Sequence, residues 1–274
     1  MNQTFMRFPQ GRAKALTLSY DDGVEQDIRM IDILNKHGLK CTFNINSGCY
    51  APDGTVYPEG RIHRRMSRSR AIELYKNSPH EVAVHAYSHA HLEAIPPALA
   101  AWEVLEDRRR LEADFDTVIR GMAYPYGTHN DTVVEILKNS GIAYSRTTVS
   151  TEKFNIPTDW LRLPATCHHN NPRLMELAEK FVNMKVAKHP QLFYLWGHTY
   201  EFEDRNNWNV IEEFSEYVGG KEDIWYATNI EIYDYIQAYN RLEWAADISM
   251  VHNPSAISVW VNTVEIKPGE TVKL

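Results

Sequence analysis

Two consecutive aspartates, Asp21 and Asp22, sit in ALTLSYDDGV (residues 15–24), and two histidines four residues apart, His85 and His89, sit in HAYSHAH (85–91). Two imidazoles and one carboxylate form a catalytic rather than a structural zinc-type ligand set, because they leave positions open for water and substrate. The spacing of His85 and His89 lets both rings reach one ion where the loop after a strand curls into a helical turn. The chain contains no H-E-x-x-H, so a general base cannot come from within the histidine pair. Adjacent side chains on a strand point to opposite faces. If the strand ends at Tyr20, both aspartates lie on the turn out of it, where alternation lapses and Gly23 permits a sharp bend. One carboxylate then binds the ion while its neighbour faces a water held there. The cation offsets the repulsion that would otherwise raise one of the two pKa values.

Eight short apolar segments are expected to be strands: 15–20, 41–45, 81–85, 121–124, 142–146, 161–165, 192–198 and 224–229. Between them run amphipathic stretches such as EQDIRMIDILNKHG and DTVVEILKNSG, whose apolar residues recur at three and four. Gly38 and Gly141 stand where left-handed caps would end helices, and Asn130 or Asp131 where a helix would start. Such alternation implies parallel strands joined by crossover helices, and with this many repeats a barrel is as natural as an open sheet. In a barrel the site lies at the C-terminal ends of the strands. Four polar clusters occupy that position: DDG (21–23), HAYSHAH (85–91), YPYG (124–127) and GHTYE (197–201). From about residue 246 the pattern changes to short β segments broken by NP and PG, read as strands packed on the main domain.

The chain has 274 residues, 43% hydrophobic and 24% charged, with a formal net charge of -7. That acidity argues against nucleic acid or an anionic membrane as partner. The basic run RIHRRMSRSR (61–70) is expected to be a solvated loop leading into a helix. No segment approaches the length of a membrane span and the N-terminal stretch lacks a secretory pattern, so a cytoplasmic protein is expected. Cys41, Cys49 and Cys167 lack CxxC spacing and are expected to be reduced.

LSYDDG, HEVAVHAYSHAHL, YPYG and LWGH resemble, in order and spacing, the first, second, third and fifth motifs of the polysaccharide deacetylase family, the NodB-like carbohydrate esterases, over about residues 14–200. The resemblance implies an α/β fold, a distorted (β/α) barrel of about seven parallel strands over 1–245 with a short C-terminal β extension over 246–274. It implies a divalent metal, zinc first and cobalt, manganese or nickel as substitutes, bound by Asp22, His85 and His89. Asp21 becomes the general base, His198 the general acid, and the backbone N–H of Tyr126 an oxyanion donor. The implied partner is an acetylated carbohydrate, losing N- or O-linked acetyl groups. Two departures stand out. The third motif opens with arginine in the family, whereas MAYPYG places Ala123 there; Arg146 and Arg162 are the candidate substitutes for orienting Asp21. The fourth motif, an aspartate–tryptophan pair that tunes the acid, has Asp159 and Trp160 as its candidate, with His168 or His169 as other residues that could reach the site. Sugar contacts are expected from Tyr126, Trp196, Tyr200, Glu201 and Trp208, with Asp159, Trp160, Arg162 and His168 lining the same space. The competing readings are hydrolysis of a small or cyclic amide on the same fold, and a sugar-binding protein without turnover, suggested by Ala123. An iron oxygenase would call for H-x-D with a distant histidine, which this pattern does not resemble.

Overall fold

The computed structural model describes residues 4–274. Its centre is a parallel sheet of β1 (Lys14–Asp21), β2 (Cys41–Ile45), β3 (Glu81–Val84), β4 (Gly121–Ala123), β5 (Tyr144–Ser150), β6 (Leu163–Ala165), β7 (Cys167–His168), β8 (Gln191–Gly197) and β9 (Ile224–Tyr226). All eight expected strands form, 41–45 with the expected bounds and the others with an end shifted by up to four residues; in this sheet only the two-residue β7 is additional. The hydrogen-bonded order is β6-β5-β4-β3-β2-β1-β8-β7, and β9 pairs with the first half of β1. Residues 163–168 bring the sheet back on itself: their first half pairs with β5 and their second half with β8. The result is a distorted (β/α) barrel.

Around it lie α1 (Asp27–Lys36), α2 (Arg68–Tyr75), α3 (Pro97–Phe115), α4 (Asp131–Asn139), α5 (Leu174–Asn183), the short α6 (Tyr200–Asp204), α7 (Asn209–Val218) and α8 (Asn229–Asn240). The strands alternate as the pleat requires. Leu16, Leu18 and Tyr20 of β1, with Cys41, Phe43 and Ile45 of β2, join the apolar layer that also holds Met30, Leu34 and Phe214 of the helices. The opposite faces are polar and fill the barrel with hydrogen bonds. Asn44 donates to Ser19 Oγ and to Asp21 Oδ1, both at 2.8 Å, while Thr42 and Tyr144 donate to Glu81 at 2.8 and 2.7 Å. The N-terminus of α8 closes the floor. Its backbone N–H groups at Asn229 and Ile230 reach Thr42 and Glu81, and Thr228 with Glu231 forms a capping box.

Residues beyond the barrel form two three-stranded antiparallel sheets. One joins Met6–Arg7 to Val259–Val261 and Val264–Ile266; the other joins Glu243–Trp244 to Met250–His252 and Thr271–Lys273. The extension thus draws strands from both sides of residue 246, including one from the N-terminus. It packs on α8 through Val251, Val259, Val261 and Ile266 against Ile232 and Tyr235, and Tyr235 Oη donates to the Arg7 carbonyl at 2.6 Å. Among the described residues no helix is long and apolar enough to cross a membrane, and the three cysteines are unpaired.

Candidate active site

The turn after β1 answers how two adjacent carboxylates serve one site. Asp21 is the last residue of the strand and points into the barrel, where Asn44 donates to it. Asp22 has φ 87°, followed by Gly23 at φ 64°, so the chain reverses sharply and the second carboxylate returns to the same end of the barrel. Its backbone N–H still donates to the Asn44 carbonyl at 2.9 Å.

The loop after β3 places both histidines. Ala86 and His89 adopt φ 59° and 60°, which folds the segment back over the strand end. The His85 backbone N–H donates to the Ile45 carbonyl at 3.1 Å and to the buried Asp107 carboxylate at 3.0 Å. Its ring Nδ1 lies 2.8 Å from the Ala123 carbonyl and donates to it, which leaves Nε2 as a lone-pair donor. Asp22, His85 and His89 each offer one ligand atom, all within 4.8 Å of one another. One carboxylate and two imidazoles suit a divalent transition metal. Both rings are held neutral, as ligands must be: burial is the main cause for each, taking His89 down to about 4.

Asp21 stands beside this cluster, its Oδ2 3.9 Å from His85 Nε2 and 3.8 Å from His198 Nε2. It is ion-paired and hydrogen-bonded to Arg146, which is fully buried and lies with its guanidinium 4.4 Å from the centroid of the Trp196 ring. Burial is the largest influence on the Asp21 carboxyl and pushes its pKa up, but Arg146, His85 and His198 outweigh it, so the pKa ends below the usual carboxylate range. Arg146 is the register partner of Ala123 across β4 and β5. A guanidinium therefore reaches Asp21 from the strand next to the one that carries Ala123.

Two residues of the basic run enter the site instead of remaining in solvent. Arg65 donates to Asp22 Oδ1 at 2.8 Å, to the Asp22 carbonyl and to Asn46 Oδ1 at 2.8 Å, and His63 Nε2 lies 3.2 Å from Asp22 Oδ2. Arg64 is also partnered, by Glu25 and Glu203. The loop, the exposure of Arg61 and Arg70 and the lead into a helix at Arg68 match the expectation; the solvated reading fails at His63, Arg64 and Arg65. Composition hid this, since a charge run says nothing of the acids that meet it. A sequence signal for the polar residues here is Thr42, Asn44 and Asn46, which repeat polarity at period two along the barrel-facing side of β2 and the residue after it.

The remaining expected contacts divide. Tyr126, 54% exposed with φ 59°, stacks its ring on His91 at 3.7 Å and sets its edge against His89 at 4.5 Å, at the rim of the cluster. Tyr200 sits beside His63 and His198, with ring centroids at 4.8 and 5.3 Å. Trp196 is buried and supports Arg146 and His168, so its ring is a wall behind the site instead of a sugar platform. Trp208 packs on Phe202 with Arg29 over its face, between helices. Asp159 caps the turn at Trp160–Arg162 and pairs with Arg162, which also reaches Asp131; Trp160 meets Tyr233 of α8. Neither candidate acid–aromatic residue nor Arg162 therefore joins the cluster; local capping and surface ion pairs claim them. Glu201 and His168 do lie there, but facing each other, Oε2 to Nε2 at 3.2 Å.

Gly197 shows how tightly this side is built. A Cβ at 197 would fall 2.0 Å from Nδ1 of the buried His169 ring, which stacks on Phe202 at 4.1 Å. Gly197→Ala is expected to lower stability by about 1–3 kcal/mol through overpacking, read as a shifted denaturant midpoint with unchanged slope.

A family model described as polysaccharide deacetylase matches residues 9–145, half of the chain. A Mycobacterium smegmatis structure described as a polysaccharide deacetylase is 15% identical, with a TM-score of 0.61 over 88% of this chain and 96% of that one. A family 4 carbohydrate esterase from Streptomyces lividans, solved with acetate, is 14% identical at TM-score 0.52, covering 78% and 91% of the two chains. A family 4 acetyl xylan esterase from Clostridium thermocellum, solved with a cobalt ion, is 14% identical at TM-score 0.51, covering 81% and 91%. At such identities these likenesses speak for the fold. None of the curated proteins searched matches the chain. The family model spans the aspartate pair, both histidines and the YPYG turn, and on that match the chain belongs to the polysaccharide deacetylase family.

Proposed function

We propose that the protein is a metal-dependent hydrolase that removes N- or O-linked acetyl groups from a carbohydrate, an oligosaccharide first, with zinc as the metal held by Asp22, His85 and His89. The observation that carries this reading is the meeting of that ligand triad with Asp21 and His198 at one end of the barrel. The acetate and cobalt ion in the solved esterases support it. A divalent cation in the triad supplies Lewis acidity toward the acetyl carbonyl and lowers the pKa of water there. Asp21, held ionised by Arg146 and Asn44, is placed to take a proton from the attacking water. His198, on the other side of Asp21, is placed to give one to the departing sugar nitrogen or oxygen. The Tyr126 backbone N–H is the proposed oxyanion donor, with its ring and Tyr200 forming the rim a sugar face would meet. The reading without turnover is motivated by Ala123, and the ion pair of Arg146 with Asp21 counts against it.

Acetate release from acetylated chito- and xylo-oligosaccharides, with zinc, cobalt or manganese and after chelation, tests the proposal. Release that disappears on chelation and returns with metal is expected; no release from any acetylated sugar despite bound metal would overturn it. His85→Ala is expected to weaken metal binding by more than about 100-fold, since both a ligand and its hydrogen-bonded orientation are lost, as read by calorimetric titration.

A further inference from the structure

We infer that Glu201 is the positioning residue of His198, acting from within a pocket of imidazoles that His168 and His169 complete. His198 follows β8 and Glu201 lies in the first turn of α6, three residues on, with Nδ1 3.6 Å from Oε1. That is an ion-pair distance, and the buried Nδ1 has no hydrogen-bond partner among the described residues. The other oxygen, Oε2, lies 3.2 Å from His168 Nε2 and 2.9 Å from His169 Nε2, and accepts from Asn170 Nδ2 at 3.1 Å. The backbone fixes the tautomer of His168. Asn170 N–H donates to its Nδ1 at 3.1 Å, so the proton of the neutral ring sits on Nε2 and faces Glu201. Gly197 is spent on admitting the His169 ring, so the pocket is a built feature of the barrel end.

The consequence is a directional one. A carboxylate on the Nδ1 side of His198 holds that nitrogen protonated and turns Nε2 toward Asp21, 3.8 Å away. The groups facing His198 are Asp21 from β1, His168 from β7, and Tyr200 and Glu201 from α6, and the charge of Asp22 acts on it from the turn after β1. Burial is the largest influence on the imidazole and lowers its pKa, yet Glu201, Asp21 and Asp22 together carry it above its ordinary value. Glu201 itself stays ionised far below the usual range: burial is again largest and raising, but contacts with His168, His169 and His198 outweigh it.

His168, His198 and Glu201 also bring ligand atoms within 4.8 Å of one another, the spacing of a second cation site. The tautomer argues for the hydrogen-bonded reading. Metal on His168 Nε2 would move the proton to Nδ1, against the N–H of Asn170.

This inference rests on the deacetylase reading and deepens it, since in that reading His198 gives a proton to the leaving group. The test takes full-length wild type, Glu201→Gln and Glu201→Asp, all zinc-loaded, and measures acetate release from an acetylated chito-oligosaccharide between about pH 5 and pH 10. Alongside, NMR follows the ring protons of His198. Raising is the sign for His198, so its acid form persists to higher pH in the wild type and the basic limb of kcat/KM follows it. Glu201→Gln is expected to move that limb down by about one pH unit and to lower kcat by about 10- to 100-fold with KM little changed, while Glu201→Asp recovers part of both. The His198 titration is expected above the ordinary imidazole value in wild type and lower in Glu201→Gln. An unmoved limb and titration would overturn the assignment, as would two zinc ions per wild-type chain and one in Glu201→Gln. Should the Gln variant not fold, Glu201→Asp takes its place, and a basic limb and His198 titration unmoved from wild type in that variant overturn the assignment. If wild type releases no acetate, the deacetylase reading fails separately, and the NMR titration still decides the pairing.

Discussion

Asp21→Asn is expected to keep one metal ion per chain and to lower kcat for acetate release by about 10³-fold. The substitution preserves shape and one carbonyl oxygen for the Asn44 amide, but removes the carboxylate that stands beside the proposed ligand triad without belonging to it. General-base catalysis contributes typically about 10²–10⁴-fold, which sets the scale. Metal binding should be spared because the three ligand atoms of the proposed site belong to Asp22, His85 and His89, not to Asp21. Arg146 would lose its counter-ion in a buried setting, so the variant is also expected to be less stable, and kcat must be read below its unfolding transition. Calorimetric metal titration with acetate kinetics separates the two effects. Full activity in Asp21→Asn would end the assignment of the base; loss of metal with loss of activity would make Asp21 a ligand.

The same pair sets a pH expectation. The Asp21 and Asp22 carboxyls are both held below their ordinary range in the folded chain, against opposing burial, by Arg146 for Asp21 and by His63 and Arg65 for Asp22. Groups with depressed folded pKa values stabilise the fold above the unfolded carboxylate value, and that contribution is lost as pH falls through the folded one.

Much of this was legible in the chain. The eight strands were readable because a parallel barrel needs short apolar segments regularly separated by helices, and the polar residues that follow them could be assigned to one end. That the aspartate pair and the histidine pair would meet was readable because a metal ligand set constrains residue type and spacing together, and they do meet at one end of the barrel. What escaped was decided by partners far away in sequence. Whether a basic run meets solvent or acid depends on Glu25, Glu203 and Asp22, which arrive from other loops. Trp196 and Tyr126 are both aromatic residues next to strand ends, yet strand pairing buries one behind Arg146 and leaves the other at the rim. Asp159 and Trp160 matched a motif by type, but a turn cap and a helix face took them. Strands from Met6–Arg7 and Glu243–Trp244 were too short for any periodicity to show.

Arg146 draws these strands of argument into one experiment. Arg146→Ala is expected to cost about 3–5 kcal/mol of stability, the scale for removing one partner of a buried ion pair, because Asp21 is left ionised or must take up a proton without its cation. It should also lower kcat, since an unpaired Asp21 in the barrel has its pKa pushed upward by burial, the largest influence already acting on it. A purely structural arginine would move stability alone. The register supplies the control: Ala123 and Arg146 are partners on adjacent strands, both buried and both facing inward, so their side chains start about 5 Å apart, well within the reach of an arginine. The double variant Ala123→Arg, Arg146→Ala moves the guanidinium to the position where the third motif of the family carries it. Recovery of at least about tenfold in kcat over Arg146→Ala, with part of the stability regained, is expected if what Asp21 needs is a cation inside the barrel. Ala123→Arg alone should be worse than wild type, because two guanidinium groups would crowd one carboxylate in a packed interior. No recovery in the double variant would mean that Arg146 acts through its packing on Trp196, 4.4 Å from its guanidinium, and not through the charge it offers Asp21.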